Sequence, residues 1–439
     1  MNSGKTANLE WVSANPTGML HAGHGRQVSL GKSVANLLEW TGYKVTREYY
    51  YNDAGNQMNT LAKSIQARYE QIFNPDYPFP EDGYSGDYIR DIAKIIFKDK
   101  KDSLRNTTDL EYFKKTGEEY NFKSIRNTLK TLNIKHDIYF NESDLYKSGA
   151  IENLLSDFKS KGLLINKDGA VWLKMDEKSF DKDKVVQKST GEYTYRLPDM
   201  AYHIDKINRG FDLIVDIFGS DHSDTYKEVL YGVKSAGYDT DRIKVIIHQM
   251  VTFRIGEESV KMSKRSDNVY YLDDLIEDVG ADATQFFFVM RAANTHLDFD
   301  IQLATERSDK NPVYYLQYAY ARICGILRNA DEKVFGTEDE IIRNIKTEQI
   351  SGTEEINLLK ILSKFPDEVL SSALALEPHK IITYLNKTAE SFHKFYHNNR
   401  VLNTENTEQT KARLAICYAV QSILKNGLGI IGINAPERM

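Results

Sequence analysis

The first fifty residues carry a strand–helix–strand pattern of apolar and polar positions. A short apolar run at 9–13 predicts a buried strand, and apolar residues recur at helical spacing between 23 and 40. The segment 44–51 is rich in residues that favour strands. Two strands joined by a helix are the unit from which doubly wound α/β domains are built.

After the first fifty residues, a segment without the α/β pattern interrupts it, a second half of the pattern follows, and a helical tail ends the chain. Proline-containing turns, polar helices, a helix at 145–161 and a hairpin at Asp168-Gly169 are predicted within the interruption. Apolar strands at 212–218 and 243–247, joined by a helix, resume the α/β pattern. The patterns predict a Rossmann-like, doubly wound parallel-sheet domain at 5–303, an inserted subdomain at about 75–180, and an all-α domain at 304–439.

The composition is that of an ordinary folded protein. Of 439 residues, 41% are hydrophobic, and 57 Lys and Arg against 63 Asp and Glu give a net charge of −6. This balance does not suggest a surface coated in nucleic acid, but it permits a local basic face. Two cysteines, Cys324 and Cys417, are too few and too distant for a zinc ribbon or a disulfide framework. We find no apolar run of membrane-spanning length and no signal peptide. We therefore expect a cytoplasmic protein with no membrane partner and no metal ion held by its side chains.

The motif His21-Ala22-Gly23-His24 stands where the first predicted strand turns into a helix. A helix N-terminus attracts phosphate through its free N–H groups and its dipole. Imidazoles at that place can donate hydrogen bonds to charge developing on phosphorus, and Gly23 would let an adenine ring lie flat against the backbone. Taken alone, two histidines at this spacing are more often surface residues at the start of a helix.

A second motif, Lys261-Met262-Ser263-Lys264-Arg265, lies in a polar stretch after the strand near residue 247. Its lysines supply point charges suited to the β- and γ-phosphates of ATP, and a loop can close over a nucleotide and reopen. A solvated basic loop is the commoner meaning of such a run. The histidine motif upstream favours the catalytic interpretation.

A third candidate, Gly219-Ser220-Asp221-His222, follows the predicted central strand at its carboxyl end. Ligands of open α/β sheets bind at that edge. The glycine permits close approach, and the aspartate can accept hydrogen bonds from ribose hydroxyls. The alternative is an ordinary strand-to-helix turn with an aspartate cap.

The sequence around these motifs resembles one family. The stretches 13–26, 50–57, 261–265, 311–319 and 435–439 closely resemble those of bacterial arginyl-tRNA synthetases, which are class I aminoacyl-tRNA synthetases. The resemblance spans nearly the whole chain. It implies that ATP, with Mg²⁺, activates L-arginine to arginyl-adenylate. It also implies that the 2′-hydroxyl of tRNA(Arg) then takes the arginyl group, and that tRNA must bind before activation proceeds well.

The resemblance further implies a role for particular residues. The implied catalytic residues are His21, His24, Lys261 and Lys264. The implied ATP-binding residues are His21, Gly23, His24, Gly219, Asp221, His222, Met250, Val251, Lys261, Met262 and Lys264. The implied arginine-binding residues are Glu10, Asn15, His21, Tyr195 and Asp199. By spacing alone, Glu10 would be a solvated strand residue, Tyr195 a core residue and Asp199 a partner of the helix dipole.

The helical tail resembles the anticodon-binding bundle of the same family. Tyr314, Tyr318 and Arg322 offer aromatic and cationic surface for unstacked tRNA bases, although many of the tyrosines there are expected to pack between helices. We expect a monomer. Full-length bacterial members begin with a further tRNA-contacting domain, whereas the first strand here starts near residue 9. We therefore expect tRNA charging to be impaired.

Two other functions stay open at this point. A nucleotidylyltransferase could use the same histidine motif on a small substrate, but a helical tail of this size argues against it. A non-catalytic RNA-binding or regulatory paralogue is the other alternative, and the intact histidines and lysines argue against that.

Overall fold

The computed structural model describes residues 2–53, 56–256, 258–259 and 270–439, with only the backbone described at 258–259. The strands in chain order are β1 (Thr6–Glu10), β2 (Lys44–Tyr51), β3 (Ile138–Asn141), β4 (Leu164–Lys167), β5 (Ala170–Leu173), β6 (Lys184–Gln187), β7 (Leu213–Gly219), β8 (Ile243–His248), β9 (Val251–Ile255), β10 (Glu258–Ser259) and β11 (Leu297–Asp300).

The helices up to the end of the sheets are α1 (Gly25–Trp40), α2 (Asn56–Glu70), α3 (Asp87–Lys100), α4 (Glu111–Thr131), α5 (Glu142–Lys147), α6 (Ala150–Ser160), α7 (Arg196–Asn208), α8 (Thr225–Ser235), α9 (Leu272–Val279), α10 (Ala281–Val289) and α11 (Ile301–Thr305). The tail contains α12 (Pro312–Arg328), α13 (Glu332–Phe335), α14 (Glu338–Arg343), α15 (Thr353–Leu362), α16 (Phe365–Ala375), α17 (His379–Asn398) and α18 (Thr407–Ile431). Short 3₁₀ helices occur at Ala22–His24, Ser220–His222 and Thr347–Gln349.

Five strands form a parallel sheet in the order β3-β2-β1-β7-β8. The central strand β1 pairs with β2 on one side and with β7 on the other, and its last four residues are buried. The strand order reverses between β1 and β7, so the crevice at their carboxyl ends is the place where an open α/β sheet binds ligands. The predicted doubly wound parallel sheet is confirmed.

Two small sheets accompany the parallel one. The hairpin predicted at Asp168-Gly169 joins β4 to β5, and β6 adds a third antiparallel strand. The strands β9 and β11 pair in parallel just after β8, in a part of the chain where no strand was predicted. They follow the end of β8, so they shape the same edge of the parallel sheet.

Two predicted element bounds are wrong for backbone reasons. The first strand ends at Glu10, because Val12 and Ser13 take φ angles of 74° and 40° and cannot continue it. The helix predicted at 145–161 is two helices, α5 and α6, because Gly149 between them takes a φ of 72°.

The tail is all helical, as predicted. One of its helices corrects the expectation that no apolar run reaches membrane-spanning length. By length and composition alone, α18 could cross a membrane, so the described part of the chain does contain an apolar run of that length. In the fold this helix packs against α12 and α17 of the tail and against α1. Its buried side chains, such as Leu414, Val420 and Leu424, belong to an apolar cluster that also includes Ala7 and Leu9 of β1. The α/β and helical parts therefore share a continuous core.

Candidate active site

The chain leaves β1 through a strained turn at the edge where β1 and β7 end. The positive φ angles of Val12 and Ser13 place the Ser13 hydroxyl so that it donates to Glu10 Oε1 at 2.8 Å and accepts from the Tyr50 N–H at 3.2 Å. Strained backbone at non-glycine residues is concentrated at functional sites. The turn holds Glu10 and Tyr50 next to each other at the crevice.

His21 and His24 form a stacked pair at the start of α1, with ring centroids 3.6 Å apart. The His21 backbone N–H donates to His24 Nδ1 at 3.2 Å, which assigns the proton of the neutral ring to Nε2. Burial lowers the pKa of His21. Burial, followed by the neighbouring His21 and His248, lowers the pKa of His24 to about 3. Both rings are therefore neutral near pH 7 and can donate an N–H without carrying charge.

We expect Gly23→Ala to weaken the binding of ATP. A Cβ at this position would lie 2.9 Å from His21 Nδ1 and 3.0 Å from its Cε1, so the ring must shift and disturb its stack on His24. A displacement of this kind is expected to raise KM for ATP roughly 10- to 100-fold. Steady-state kinetics of adenylate formation would measure it. Gly325→Ala, where the nearest atom would be 3.9 Å away, is the control; equal KM values for ATP in both variants would contradict the prediction.

The segment that follows the lysine motif pairs with the histidine turn. The Ala22 N–H donates to the Tyr270 carbonyl at 2.8 Å, and the Leu272 N–H donates to the Leu20 carbonyl at 2.8 Å. This pairing fixes residues 270–272, which follow the lysine motif in the chain, beside the histidine turn. Lys261, Met262 and Lys264 themselves lie outside the described residues, and their roles stay predictions.

Gly219, Asp221 and His222 lie at the carboxyl end of β7, in the 3₁₀ turn that begins there. The Asp221 side chain is 81% exposed, and its contact with His222 Nε2 is long, at 3.5 Å. The carboxylate is therefore open to hydroxyl groups of a ligand. His248, at the end of β8, pairs in register with Gly219 and brings a third histidine to this edge.

A buried arginine fixes the segment that carries Met250 and Val251. Arg26, in the first turn of α1, donates to the carbonyls of Gln249 at 2.9 Å and Ala292 at 2.8 Å, and it is fully buried. Burial lowers its pKa to about 10, so it stays charged near pH 7. The Met250 side chain is 71% exposed beside this anchor. Sequence reasoning gave Arg26 no role, because its acceptors are distant in the chain.

An acid cluster lies beside Tyr50. The Tyr50 hydroxyl donates to Glu142 Oε2 at 2.6 Å, and burial raises the pKa of Glu142. Burial, together with the negative charges of Glu10 and Glu142, raises the pKa of Asp199 to about 7. Within the described part of the chain, no donor is hydrogen-bonded to the Asp199 carboxylate. Such a cluster is complementary to a planar cation, because a cation would relieve the repulsion between the acids. Glu142 was missed by sequence reasoning, since nothing in its local sequence marks it.

Glu10, in contrast, is largely engaged within the protein. Its Oε2 accepts from Lys206 Nζ at 2.5 Å, and Lys206 also donates to Asp216 Oδ1 at 2.6 Å. All three side chains are buried, and His203 pairs with Asp216 at 3.1 Å. The charge of Glu10 is therefore already compensated, and its role in binding arginine stays a prediction.

Tyr195 and Asn15 border the same crevice. The Tyr195 ring, 56% exposed, lies one turn before Asp199, whose N–H donates to the Tyr195 carbonyl at 3.2 Å. The guanidinium of Arg196 lies 4.8 Å from the centre of that ring. Asn15 donates to Gln57 Oε1 at 2.8 Å, which ties the turn after β1 to α2. Binding of arginine by Tyr195 and Asn15 stays a prediction.

We expect arginine binding to weaken as the pH falls below 7. The raised pKa means that the Asp199 carboxyl of the free protein takes up a proton near pH 7 and loses the charge that attracts a guanidinium. KM for arginine should then rise about tenfold per pH unit below that value. Exchange kinetics between pH 6 and pH 8.5 would measure it, with KM for ATP as the internal reference. An arginine KM that does not change over this range would contradict the assignment.

An aromatic face lies on α12. The rings of Tyr314 and Tyr318 stack with centroids 6.0 Å apart and planes at 7°, and Arg322 lies 4.6 Å over Tyr318 while donating to its hydroxyl at 2.7 Å. Tyr396 of α17, 39% exposed, lies 5.8 Å from the same guanidinium. Tyr320 is buried and packs between helices, as expected for part of the tyrosines. Rings and a cation on one face suit stacking on unpaired bases.

The chain matches two family models over most of its length. Residues 2–295 match the catalytic domain of tRNA synthetases class I (R), and residues 316–439 match the DALR anticodon binding domain. It is 47% identical to the arginine–tRNA ligase of Salinibacter ruber, covering 100% of this chain and 80% of the relative. It is 46% identical to that of Desulfotalea psychrophila, covering 100% and 79%.

Solved structures show the same likeness. A Campylobacter jejuni protein assigned to the arginyl-tRNA synthetases superposes with a TM-score of 0.91 at 30% identity, covering 100% of this chain and 95% of that one. The arginyl-tRNA synthetase of Thermus thermophilus superposes with a TM-score of 0.76 at 20% identity, covering 99% and 83%, and at this identity it shows the fold alone.

Proposed function

Because the chain belongs to the class I arginyl-tRNA synthetases, we propose that it activates L-arginine with ATP and transfers the arginyl group to tRNA(Arg). The chain is an enzyme, a ligase of that family. One observation carries the proposal: a neutral histidine pair suited to phosphates and an acid cluster suited to guanidinium lie at the same carboxyl edge of one sheet. Family membership favours neither the nucleotidylyltransferase nor the non-catalytic paralogue.

The histidine turn would hold the triphosphate of ATP. The Nε2–H of His24 and the ring of His21 offer neutral donors at a helix N-terminus, where negative charge is stabilised. Gly219 and Asp221 would take the ribose, and Gly23, Met250 and Val251 would border the adenine. His222 would stand next to the ribose, and Lys261, Met262 and Lys264 would reach the phosphates from the adjoining segment.

Mg²⁺ fits this site as an ion carried by the phosphates. The described residues include no group of three or more His, Cys, Asp or Glu side chains that could hold a metal ion. Mg²⁺ commonly binds through substrate phosphates and water, with few protein ligands. Its charge would offset that of the triphosphate, while the protein positions the reacting atoms.

The reaction would proceed in two displacements. The arginine carboxylate attacks the α-phosphorus of ATP, the bond to the bridging oxygen breaks, and pyrophosphate leaves with that electron pair. A ribose hydroxyl at the tRNA terminus then attacks the arginyl carbonyl, and AMP leaves. Catalysis rests on orientation and on stabilisation of phosphate charge, because the protein forms no covalent bond with the substrates.

The acid cluster would select arginine. Asp199 and Glu142 would accept hydrogen bonds from the guanidinium, whose planar fork matches carboxylates. The exposed ring of Tyr195 would stack on it. Asn15 and Glu10 would border the α-amino end, with Glu10 partly neutralised by Lys206.

The helical tail would bind the anticodon region of tRNA(Arg) through Tyr314, Tyr318 and Arg322. We further propose domain limits of 5–303 and 304–439, a cytoplasmic location and a monomeric state.

ATP–pyrophosphate exchange with each of the twenty amino acids, with and without tRNA, tests the proposal. Exchange that depends on arginine, together with attachment of labelled arginine to tRNA(Arg), is the expected result. Exchange with another amino acid would overturn the substrate assignment. No exchange with arginine and tRNA, in protein that binds ATP, would overturn the activity.

A further inference from the structure

The C-terminal end of α18 is capped by side chains of another helix. The last turn of a helix leaves four carbonyl groups without partners inside the helix. Here Asn36 Nδ2 donates to the carbonyls of Gly429 and Ile430, each at 3.1 Å. The Ser33 hydroxyl donates to the Ile431 carbonyl at 2.8 Å. Both donors belong to α1, the helix that begins at the histidine pair.

Lys32 of α1 completes this cap. Its ammonium donates to the Gly432 carbonyl at 2.6 Å and to the Leu132 carbonyl at 2.7 Å, so it lies between the C-terminal ends of α18 and α4. A cation at two such ends is stabilised by both helix dipoles. Burial lowers the pKa of Lys32 to about 8, partly offset by Asp282, which means that these contacts are made at the cost of desolvating the charge.

Gln285 of α10 adds further hydrogen bonds at this contact between α1 and the C-terminal end of α18, which we call the junction. The side-chain amide of Gln285 donates to the carbonyls of Ser29 at 2.9 Å and Ile431 at 3.0 Å, and to Ser33 Oγ at 3.1 Å. Gln285 is buried, so it has no water to replace these partners. Ser33 and Gln285 thus hold this helix end in place, since displacing it would leave their buried polar groups unsatisfied.

This junction connects the two functional surfaces of the molecule. α18 packs against α12, which carries the aromatic face with Tyr318. His24 caps the N-terminus of α1, roughly two turns before Lys32, and a rigid helix can carry coupling between the sites at its two ends. We propose that Lys32, Ser33 and Asn36 are positioning residues, through which the placement of the helical tail sets the placement of the histidine pair.

The inference rests on the proposed function, and variants of the junction test it. Lys32→Met removes the shared ammonium, and Asn36→Asp exchanges an amide donor for an acceptor without change of size. Lys425→Met, an exposed lysine on α18 one turn before the junction, is the matched control. Each variant is assayed for tRNA affinity, for thermal unfolding, and for kcat and KM in exchange with saturating tRNA.

We expect both junction variants to lower kcat roughly 5- to 100-fold, the range of typical coupling between sites. The Kd for tRNA and KM for arginine should stay within about twofold of the parent values, because neither binding surface is altered. Ser33→Thr, which keeps a hydroxyl donor, should retain more activity than Ser33→Ala. The proposal would be overturned by an unchanged kcat in Asn36→Asp that is folded. It would also be overturned if the junction variants lowered the melting temperature and had no other effect. If the unmodified protein shows no ATP–pyrophosphate exchange when arginine and tRNA are present, the proposed function fails instead.

Discussion

Replacement of His24 by asparagine should lower kcat for adenylate formation about 10²- to 10³-fold, the usual cost of losing one preorganised donor to developing charge. Asparagine can still accept the His21 N–H as Nδ1 does, but it places no donor where His24 has its Nε2–H. Glutamine reaches further, so His24→Gln should recover part of the rate. Pre-steady-state measurement of adenylate at saturating ATP and arginine would separate this chemical step from binding.

The control for His24 is an exposed histidine elsewhere. His397 lies on α17 at the surface, and His397→Asn should leave the rate unchanged. A loss at His24 that is confined to KM for ATP would mean that the ring only binds nucleotide. A loss below tenfold in His24→Asn would contradict its proposed part in stabilising the transition state.

The second large effect is expected at Asp199. Asp199→Asn should raise KM for arginine roughly 30- to 5,000-fold, because truncating one partner of a desolvated charge pair typically costs about 2–5 kcal/mol. KM for ATP should stay near the parent value, since the histidine turn is untouched. The pH dependence of the arginine KM should disappear in the same variant, because the group that titrates near pH 7 is gone.

The same variant should be more stable than the parent when arginine is absent. The folded protein raises the pKa of Asp199 from 3.8 to about 7, so between these values the folded state binds the proton more tightly than the unfolded state. Stability is therefore lost as the pH rises through that window, and at pH 8 the full penalty is present. Asparagine removes it, which thermal unfolding at pH 8 would reveal. Asp212→Asn should instead lower stability, because hydrogen bonds from Thr6, one of them from its backbone N–H at 2.8 Å, lower the pKa of the Asp212 carboxyl.

Local periodicity was sufficient to predict much of the fold. The spacing of apolar residues predicted β2 and α1, and the Asp168-Gly169 pair predicted the hairpin, because these features depend on residues close in sequence. The strands β9 and β11 were missed, since their pairing joins segments that only the tertiary fold brings together. The left-handed conformations at Val12 and Ser13 carry no sequence signal of the kind that glycine gives.

The candidate site likewise has one part that could be predicted from the sequence and one part that could not. The histidine turn could be predicted, because its residues are contiguous and stand at a strand-to-helix boundary. The roles of Glu142 and Arg26 could not be predicted, because each depends on a hydrogen bond to a residue distant in the chain. Glu142 accepts from Tyr50, 92 positions away, and Arg26 donates to Gln249, 223 positions away. For Glu10 the sequence could not reveal that Lys206, 196 positions later, would neutralise its charge.

The capped end of α18 also has a consequence for how the protein is made. Ser33 and Ile431, which share a hydrogen bond in the junction, are 398 positions apart. At translation rates of about 5–20 residues per second, roughly 20–80 seconds separate their synthesis. During that interval the donors of α1 have been made but their acceptors have not. In a ribosome-bound chain that lacks residues 429–432, the donors of α1 would have no acceptors at the end of α18. If the junction positions the histidine pair, such a chain would use ATP efficiently only after those residues are made.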